Sequence, residues 1–245
     1  MASDPHLFVP PIACSQVSVV VPAQNEDENV VPLIEEIDNA LHNVIEFEMV
    51  FVDDGSTDAT WVRLQEARNR FNNLVILRHA KGAGQSVAIR SGVKAARYPW
   101  IATLDGDGQN DPSDIPALIE AVNALAQDGR PVMMAGQRAK RRDNWFRRFS
   151  SRVANGVRQA LLNDATPDTG CGLKLFPRQV FLDMAHFNHL HRFMPALMIR
   201  QGGRVISVPV NHRPRQRGTS KYGLWNRLWV GIVDLFGVMW LMKRP

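Results

Sequence analysis

Apolar and polar positions follow two alternating rhythms along most of this chain. Val17 to Val21 is a valine-rich run that stops at Pro22, and Phe47 to Val52 is a second apolar run that stops at Asp53-Asp54-Gly55. Both read as buried strands opening into loops. Between them Val30, Leu33, Ile34, Ile37, Leu41 and Val44 keep the i, i+3, i+4, i+7 spacing of a helix with one apolar face. The rhythm continues with a helix from Thr57 to Arg70, a strand Leu74 to Leu77, a helix from Gly84 to Ala96 and a strand Trp100 to Leu104. Strands alternating with helices predict an α/β fold, a mostly parallel sheet with helices on both faces. In such sheets the ligand crevice lies beyond the carboxyl ends of the strands, so the loops after each strand carry the chemistry.

Past a strand at Val132 to Ala135 the pattern changes. A basic helical stretch from Trp145 to Leu162 is followed by a short strand, Leu173 to Phe176, a helix from Arg192 to Arg200 and a strand Val205 to Val210. No internal repeat and no long Gly/Ser linker separates the halves, so one continuous domain is expected. Leu228 to Met242 is nearly all apolar, interrupted by Asp234 and followed by Lys243-Arg244. A membrane span needs ~20 apolar residues. This shorter segment is expected to lie at an interface or dock a partner, with Trp225, Trp229 and Trp240 suited to a headgroup boundary. The alternative is a buried terminal helix.

Charge sharpens the division. Lys and Arg exceed Asp and Glu by five over the 245 residues, but unevenly. From Arg138 to Arg158 eight basic residues face the single acid Asp143, and from Met184 to Val233 there are eight more and no acid. The second half faces anions. Aromatic residues are not interleaved with these cations in any RNA-reading pattern, and no helix-turn-helix or zinc module is present, so nucleic acid is not an expected partner. The two cysteines, Cys14 and Cys171, form no zinc or redox motif, and the first fifteen residues lack a secretory pattern. A cytoplasmic setting is expected.

The loops after the strands collect carboxylates: Glu26 and Asp27, then Asp53 and Asp54, then Asp105 and Asp107. Converging acids repel one another unless a cation joins them, and oxygen ligands suit Mg2+ or Mn2+. A lone Asp-x-Asp is a weak signal, common in polar turns. Here it has companions: Pro22 to Glu26 after the first strand, Asp53 to Ser56 after the second, and the glycine-rich His79 to Gln85 before a helix whose N-terminus can face phosphate.

In this order the motifs resemble the family 2 glycosyltransferases with the GT-A fold. Asp105 to Asp114 (DGDGQNDPSD) and Pro209 to Tyr222 (PVNHRPRQRGTSKY) are similar to the branch that includes dolichol-phosphate mannose synthases and other polyprenyl-phosphate sugar transferases. The resemblance implies a GT-A domain over 16–222, with a nucleotide-sugar half at 16–136 and an acceptor half at 137–222. Residues 1–15 are then an extension and 223–245 an apolar terminal helix. It implies that Pro22, Asn25, Glu26, Asp54 and Gln85 line the donor pocket, and that Asp105, Asp107 and Gln109 form the metal and diphosphate site. Arg213, Arg215, Ser220 and Lys221 would handle donor diphosphate and acceptor phosphate, and Arg138 and Arg152 would capture the polyprenyl phosphate.

Asp168 sits where related enzymes carry an acid near the donor sugar. It would position the sugar, act as base, or simply stabilise a glycine-rich turn. His191 resembles a family segment or caps a helix. The implied activity is inverting transfer of a sugar from GDP-mannose or a UDP-sugar to polyprenyl phosphate, by a peripheral protein on the cytoplasmic face of the membrane. A small transmembrane partner is a further expectation, because many relatives carry spanning helices after the catalytic domain. Two rival readings stay open: a transferase acting on a sugar hydroxyl, which needs a base, and a non-catalytic subunit that binds nucleotide-sugar or membrane.

Overall fold

The computed structural model describes residues 13–125, 128–138, 161–162, 164, 166–214 and 224–244, with side chains for all of these except 224–230 and 232. The basic stretch 145–162 therefore lies almost wholly outside the described residues, as do Arg152, Arg215, Ser220 and Lys221. Seven strands form one sheet: β1 (Gln16–Ala23), β2 (Glu46–Asp53), β3 (Leu74–Arg78), β4 (Trp100–Thr103), β5 (Val132–Arg138), β6 (Lys174–Pro177) and β7 (Arg204–Val210). Their order is β3-β2-β1-β4-β6-β5-β7. Neighbours are parallel except β6, which runs antiparallel to both β4 and β5. The mostly parallel sheet expected from the alternation is present.

Helices cover both faces. Strand residues point alternately to opposite sides, so Val17, Val19 and Val21 of β1 and Met49 and Phe51 of β2 pack on α1 (Val30–Leu41), α2 (Thr60–Arg68) and α4 (Ile115–Asn123). Val20, Val50, Ile101 and Phe176 pack on the other face against α3 (Gln85–Ala95), α5 (Arg178–Asp183) and α6 (Met194–Arg200). A strand buried on both faces must be apolar at nearly every position, which is why the valine-rich runs carry almost no polar alternation. The last helix, α7 (Leu224–Met242), lays Val238 against Phe193 and Ala196 in a separate small cluster.

Several details depart from the sequence pattern. α1 ends at Leu41, before Asn43 takes a left-handed conformation, so Val44 drops out of the apolar stripe and is 56% exposed. α2 starts at Thr60, three residues later than expected, because Asp58 accepts hydrogen bonds from the Thr60 amide and hydroxyl before the first turn. α4 and α5 escaped the periodicity: α4 follows a 3-10 turn at Pro112–Asp114, and α5 is a single short stretch directly after β6. The final helix begins at Leu224, four residues before the apolar run that starts at Leu228. It is neither wholly buried nor wholly free. Val238 is covered while Val233, Phe236 and Trp240 are exposed. Among the described residues no helix is long and apolar enough to cross a membrane.

β2 is buried from Glu48 to Asp53, and Phe51 is among its wholly buried side chains. Phe51→Ala should lower the unfolding free energy by about 3–5 kcal/mol in urea denaturation. Val44→Ala, despite its place in the apolar pattern, should change it by less than about 0.5 kcal/mol.

Candidate active site

β1 and β4 are adjacent, while β2 and β3 continue the sheet to one side and β6, β5 and β7 to the other. The crevice past their carboxyl ends is where an open α/β sheet binds ligands. The loops there are stitched together by short polar contacts. Asn25, held at φ +53, donates its amide to Ser56 Oγ (2.9 Å) and accepts the Thr57 amide on Oδ1 (2.8 Å). Glu26 donates its amide to Thr60 Oγ1 (2.8 Å), and its carboxylate accepts from Asn29 Nδ2 (2.6 Å) at the start of α1. Pro22 closes β1 beside Val52.

Asp54 organises the glycine-rich loop. Its carboxylate accepts the amides of Ala83 (2.9 Å) and Gly84 (2.8 Å) and lies 2.7 Å from His79 Nδ1. Two amides just before α3 are thus taken by a buried carboxylate, which fixes the 79–85 loop ahead of the helix N-terminus. Gln85, the first residue of α3, instead reaches forward and donates to Asp105 Oδ1 (2.7 Å).

Asp105 and Asp107 follow β4 directly. The Asp105 amide donates to Asn110 Oδ1 (3.2 Å), and its carboxyl rests against the backbone of Gly172, where a Cβ would lie 2.4 Å from Asp105 Cγ. Any larger residue at 172 would displace the carboxylate. Gly106 is equally confined, with a Cβ that would sit 2.7 Å from the Pro22 carbonyl. Gly108, on the other side of Asp107, has room for a Cβ but holds φ +71. Burial, and then the charge of Asp107, push the Asp105 carboxyl up to about 6, against the pull of Lys174, Gln85 and Arg138. Asp107 Oδ1 accepts the Gln109 amide (3.2 Å), so Gln109 stands beside the pair.

A cavity of about 300 Å³ opens beside Asp105, walled by Gln85, Arg138, Lys174, His191 and Arg192. Arg138, at the end of β5, grips Asp168 with two hydrogen bonds (Nε to Oδ2, 2.6 Å; second nitrogen to Oδ1, 2.7 Å). Both are largely buried, which makes the fork-to-fork geometry count. Lys174, the first residue of β6, is buried and donates to the carbonyls of Cys171 and Thr169. Burial lowers its pKa while Cys171, Asp105 and Asp168 pull it back. His191 Nδ1 lies 2.9 Å from Ser86 Oγ, and burial drives its pKa down to about 3, helped by Arg192, Lys174 and His189. Its imidazole is neutral. Ser86 Oγ also accepts the His191 amide (3.3 Å), so the two residues are joined twice.

The predicted site residues fall into three sets. Pro22, Asn25, Glu26, Asp54, Gln85, Asp105, Asp107, Gln109, Arg138 and Asp168 all lie at the carboxyl end of the sheet. Arg213 lies on the far side of the Asp107 loop, in a second hollow with Asn29 and Glu36, and its guanidinium is pinned by Glu36 (2.6 Å) and Asp111 (2.7 Å). There it ties the 109–114 loop to α1. Arg152, Arg215, Ser220 and Lys221 are not described. Lys174 was missed by the sequence reading; its only signal is a lysine between Leu173 and Leu175 in an otherwise apolar strand.

Among the described residues no group of three or more His, Cys, Asp or Glu side chains could hold a metal ion. Two adjacent carboxylates still suit Mg2+ or Mn2+, which commonly take one or two protein carboxylates and complete their shell with phosphate oxygens and water. The mutual repulsion that raises Asp105 is what such a cation would relieve.

Comparison with known proteins adds kinship. A profile of the family described as glycosyl transferase family 2 matches residues 18–184. A dodecaprenyl-phosphate galacturonate synthase of Rhizobium johnstonii is 34% identical over 238 residues, covering 95% of this chain and 69% of that protein. An undecaprenyl-phosphate 4-deoxy-4-formamido-L-arabinose transferase of Edwardsiella ictaluri is 36% identical over 210 residues, covering 85% of this chain and 63% of that protein. The chain thus spans about two thirds of the length of these curated relatives. Among solved structures, glucosyl-3-phosphoglycerate synthase from Mycobacterium tuberculosis, crystallised with Mn2+, UDP-glucose and phosphoglyceric acid, superposes with a TM-score of 0.66 at 14% identity. That likeness covers 93% of this chain and 79% of the other, and it speaks for the fold.

Because the Asp105 carboxyl titrates at about 6 in the fold and near 3.8 otherwise, ionising it costs stability. The cost is fully present above about pH 6 and disappears as pH falls toward the ordinary carboxylate range. In EDTA, Asp105→Asn should therefore raise the melting temperature at about pH 7.5, and the gain should fall to about a third by about pH 4.5. A gain of constant size across that range would contradict the assignment.

Proposed function

Since this chain belongs to glycosyl transferase family 2, we propose that it moves a sugar from a nucleotide-sugar to the phosphate of a polyprenyl phosphate at a membrane surface. One observation carries the reading: the Asp105/Asp107 pair sits at the sheet's switch point beside a cavity lined by Arg138, Lys174 and Arg192, and Asp168, one residue before the lining residue Thr169, is held by Arg138 in a bidentate pair. A hydroxyl acceptor needs a base to take its proton, and both Asp168 oxygens are engaged. A phosphate acceptor arrives as an anion and needs none. The names of both curated relatives also carry a polyprenyl phosphate, which supports this choice over the hydroxyl acceptor.

On this reading Asp105 and Asp107, with Gln109 beside them, hold Mg2+ or Mn2+ against the donor diphosphate. The cation would supply charge stabilisation to the departing nucleoside diphosphate. Pro22, Asn25, Glu26 and Asp54 shape the base and ribose pocket, chiefly by fixing the loops into one surface. Gln85 holds Asp105 in its rotamer from the first turn of α3. Arg138, Lys174 and Arg192 make the cavity favourable for phosphoryl oxygens. Asp168 keeps the Arg138 guanidinium fixed instead of acting on the acceptor, while Arg152, Arg215, Ser220 and Lys221 would complete the acceptor-phosphate site. Attack of the phosphate oxygen from the face opposite the leaving group inverts the anomeric centre.

The acceptor is a lipid, and the exposed stripe of α7 fits a peripheral attachment. Val233, Phe236 and Trp240 recur at i, i+3 and i+7 and are 57%, 63% and 60% exposed, with Lys243 and Arg244 at the end of the helix. Apolar side chains in the interface and cations toward anionic headgroups describe a helix lying in the plane of the bilayer on its cytoplasmic face. A small transmembrane protein docking on the same stripe is the competing occupant.

Two measurements test this. Purified protein with Mn2+, polyprenyl phosphate and a panel of labelled UDP- and GDP-sugars should transfer label into organic solvent with one donor, and Asp107→Asn should reduce the rate at least about 100-fold. Full activity of Asp107→Asn would refute the metal site. Flotation with anionic vesicles should fall several-fold in a Phe236→Ser/Trp240→Ser double variant. Unchanged flotation would move the stripe to a protein partner.

A further inference from the structure

We propose that His189 and Asp234 are positioning residues through which α7 fixes one wall of the active-site cavity, so that the seating of α7 and donor binding are linked. The proposal rests on the donor-site reading given above. It begins with a thin piece of structure. Between α5 and α6 the chain from Phe187 to Met194 separates α7 from the cavity. Its outer side packs Phe187 and Phe193 against Leu235, Val238 and Met239 of α7. Its inner side presents His191, Arg192 and Met194 to the cavity. Whatever shifts one side shifts the other.

Two features show that the segment is held rather than merely placed. His189 has φ +65, a left-handed conformation uncommon for a residue with a side chain. Its ring is tied to α7: His189 Nδ1 lies 2.9 Å from Asp234 Oδ2. Asp234 is the acid that interrupts the apolar terminal run, and it points inward, away from the exposed stripe. At the far end of the helix, Arg200 of α6 donates to the Leu241 carbonyl (3.1 Å) and sets the seating of α7.

From His189 the contacts continue to the chemistry. Two residues later His191 meets Ser86 Oγ at 2.9 Å, Ser86 is the second residue of α3, and the first, Gln85, donates to Asp105 at 2.7 Å. Each step is a direct contact or a chain neighbour. Loss of the Asp234 charge would let the 189–194 turn relax, loosen the His191–Ser86 contact and free the Gln85 side chain that orients Asp105. A sub-ångström loss of that kind is enough to weaken a site built on fixed geometry.

The test compares wild type with Asp234→Asn and the conservative Asp234→Glu. In Asp234→Asn the donor KM should rise about five-fold or more while kcat stays within about two-fold, and Asp234→Glu should return the KM toward the wild-type value. A role confined to folding would lower the active fraction and hence kcat, leaving KM alone. Amide hydrogen exchange should rise in Asp234→Asn at 189–194 and at the first turn of α3, relative to β1 and β2. A donor KM within two-fold of wild type together with unchanged exchange at these two segments overturns the proposal. Exchange needs no substrate. If wild-type protein transfers no sugar, the transfer reading falls, and the exchange measurement still decides whether α7 holds the cavity wall.

Discussion

Four charges share a small volume at the carboxyl end of the sheet: Asp105, Asp168, Arg138 and Lys174. Burying any one alone would be prohibitive, since an unpaired charge away from water costs several kcal/mol even after the protein relaxes. They are tolerable because they balance. Arg138 and Asp168 neutralise one another through two hydrogen bonds, and Lys174 sits between backbone carbonyls and the fields of Asp105 and Asp168. The balance is imperfect at Asp105, where burial first and the negative charge of Asp107 second raise the carboxyl. That residual repulsion leaves room for a cation, and the fixed cations across the cavity leave room for an anion. A site prepared for both together is one that suits a metal-bound diphosphate.

The reversal of one strand makes the balance possible. If β6 ran parallel to β4, its first residue would lie at the opposite end of the sheet. Because it is antiparallel, Thr103 pairs with Lys174, and the loop Asp168 to Leu173 arrives directly behind Asp105. Gly172 can then touch the carboxylate, and the Gly172 carbonyl accepts from Thr103 Oγ1 (2.7 Å). β5 runs antiparallel to β6, so its last residue, Arg138, comes to the same end. The direction of one four-residue strand decides which charges meet.

That direction is what periodicity could not reveal. The strands β1 to β4 and the helices between them were legible because their runs are long and their turns are marked by Pro, Asp and Gly. The position of the Asp-x-Asp pair at the end of β4 followed from the same pattern. α4 was not legible, since its Leu118, Ile119 and Val122 follow a proline-containing turn that reads as loop. Lys174 was hidden for a different reason: hydrophobic patterning treats a single lysine in an apolar strand as an interruption, and its partners are carbonyls three and five residues upstream. Arg138 and Asp168 were each legible as polar residues near the site. Their bond to each other was not, because it joins positions 30 residues apart across a strand reversal. Local spacing finds residues that act on a ligand more readily than residues that act on one another.

The same distinction governs the terminal helix. An apolar run of this kind suggests either burial or exposure, and α7 does both, with Val238 turned inward and Phe236 and Trp240 turned outward. Asp234 fits no simple apolar stripe until its partner is known. Once His189 is seen at 2.9 Å, the acid becomes the reason the helix has a fixed rotation about its axis. A fixed rotation gives the exposed stripe a definite direction relative to the 187–194 segment that lines the cavity. On the membrane-surface reading, the helix that enters the interface is thereby the same one that holds a wall of the cavity meant for the acceptor phosphate.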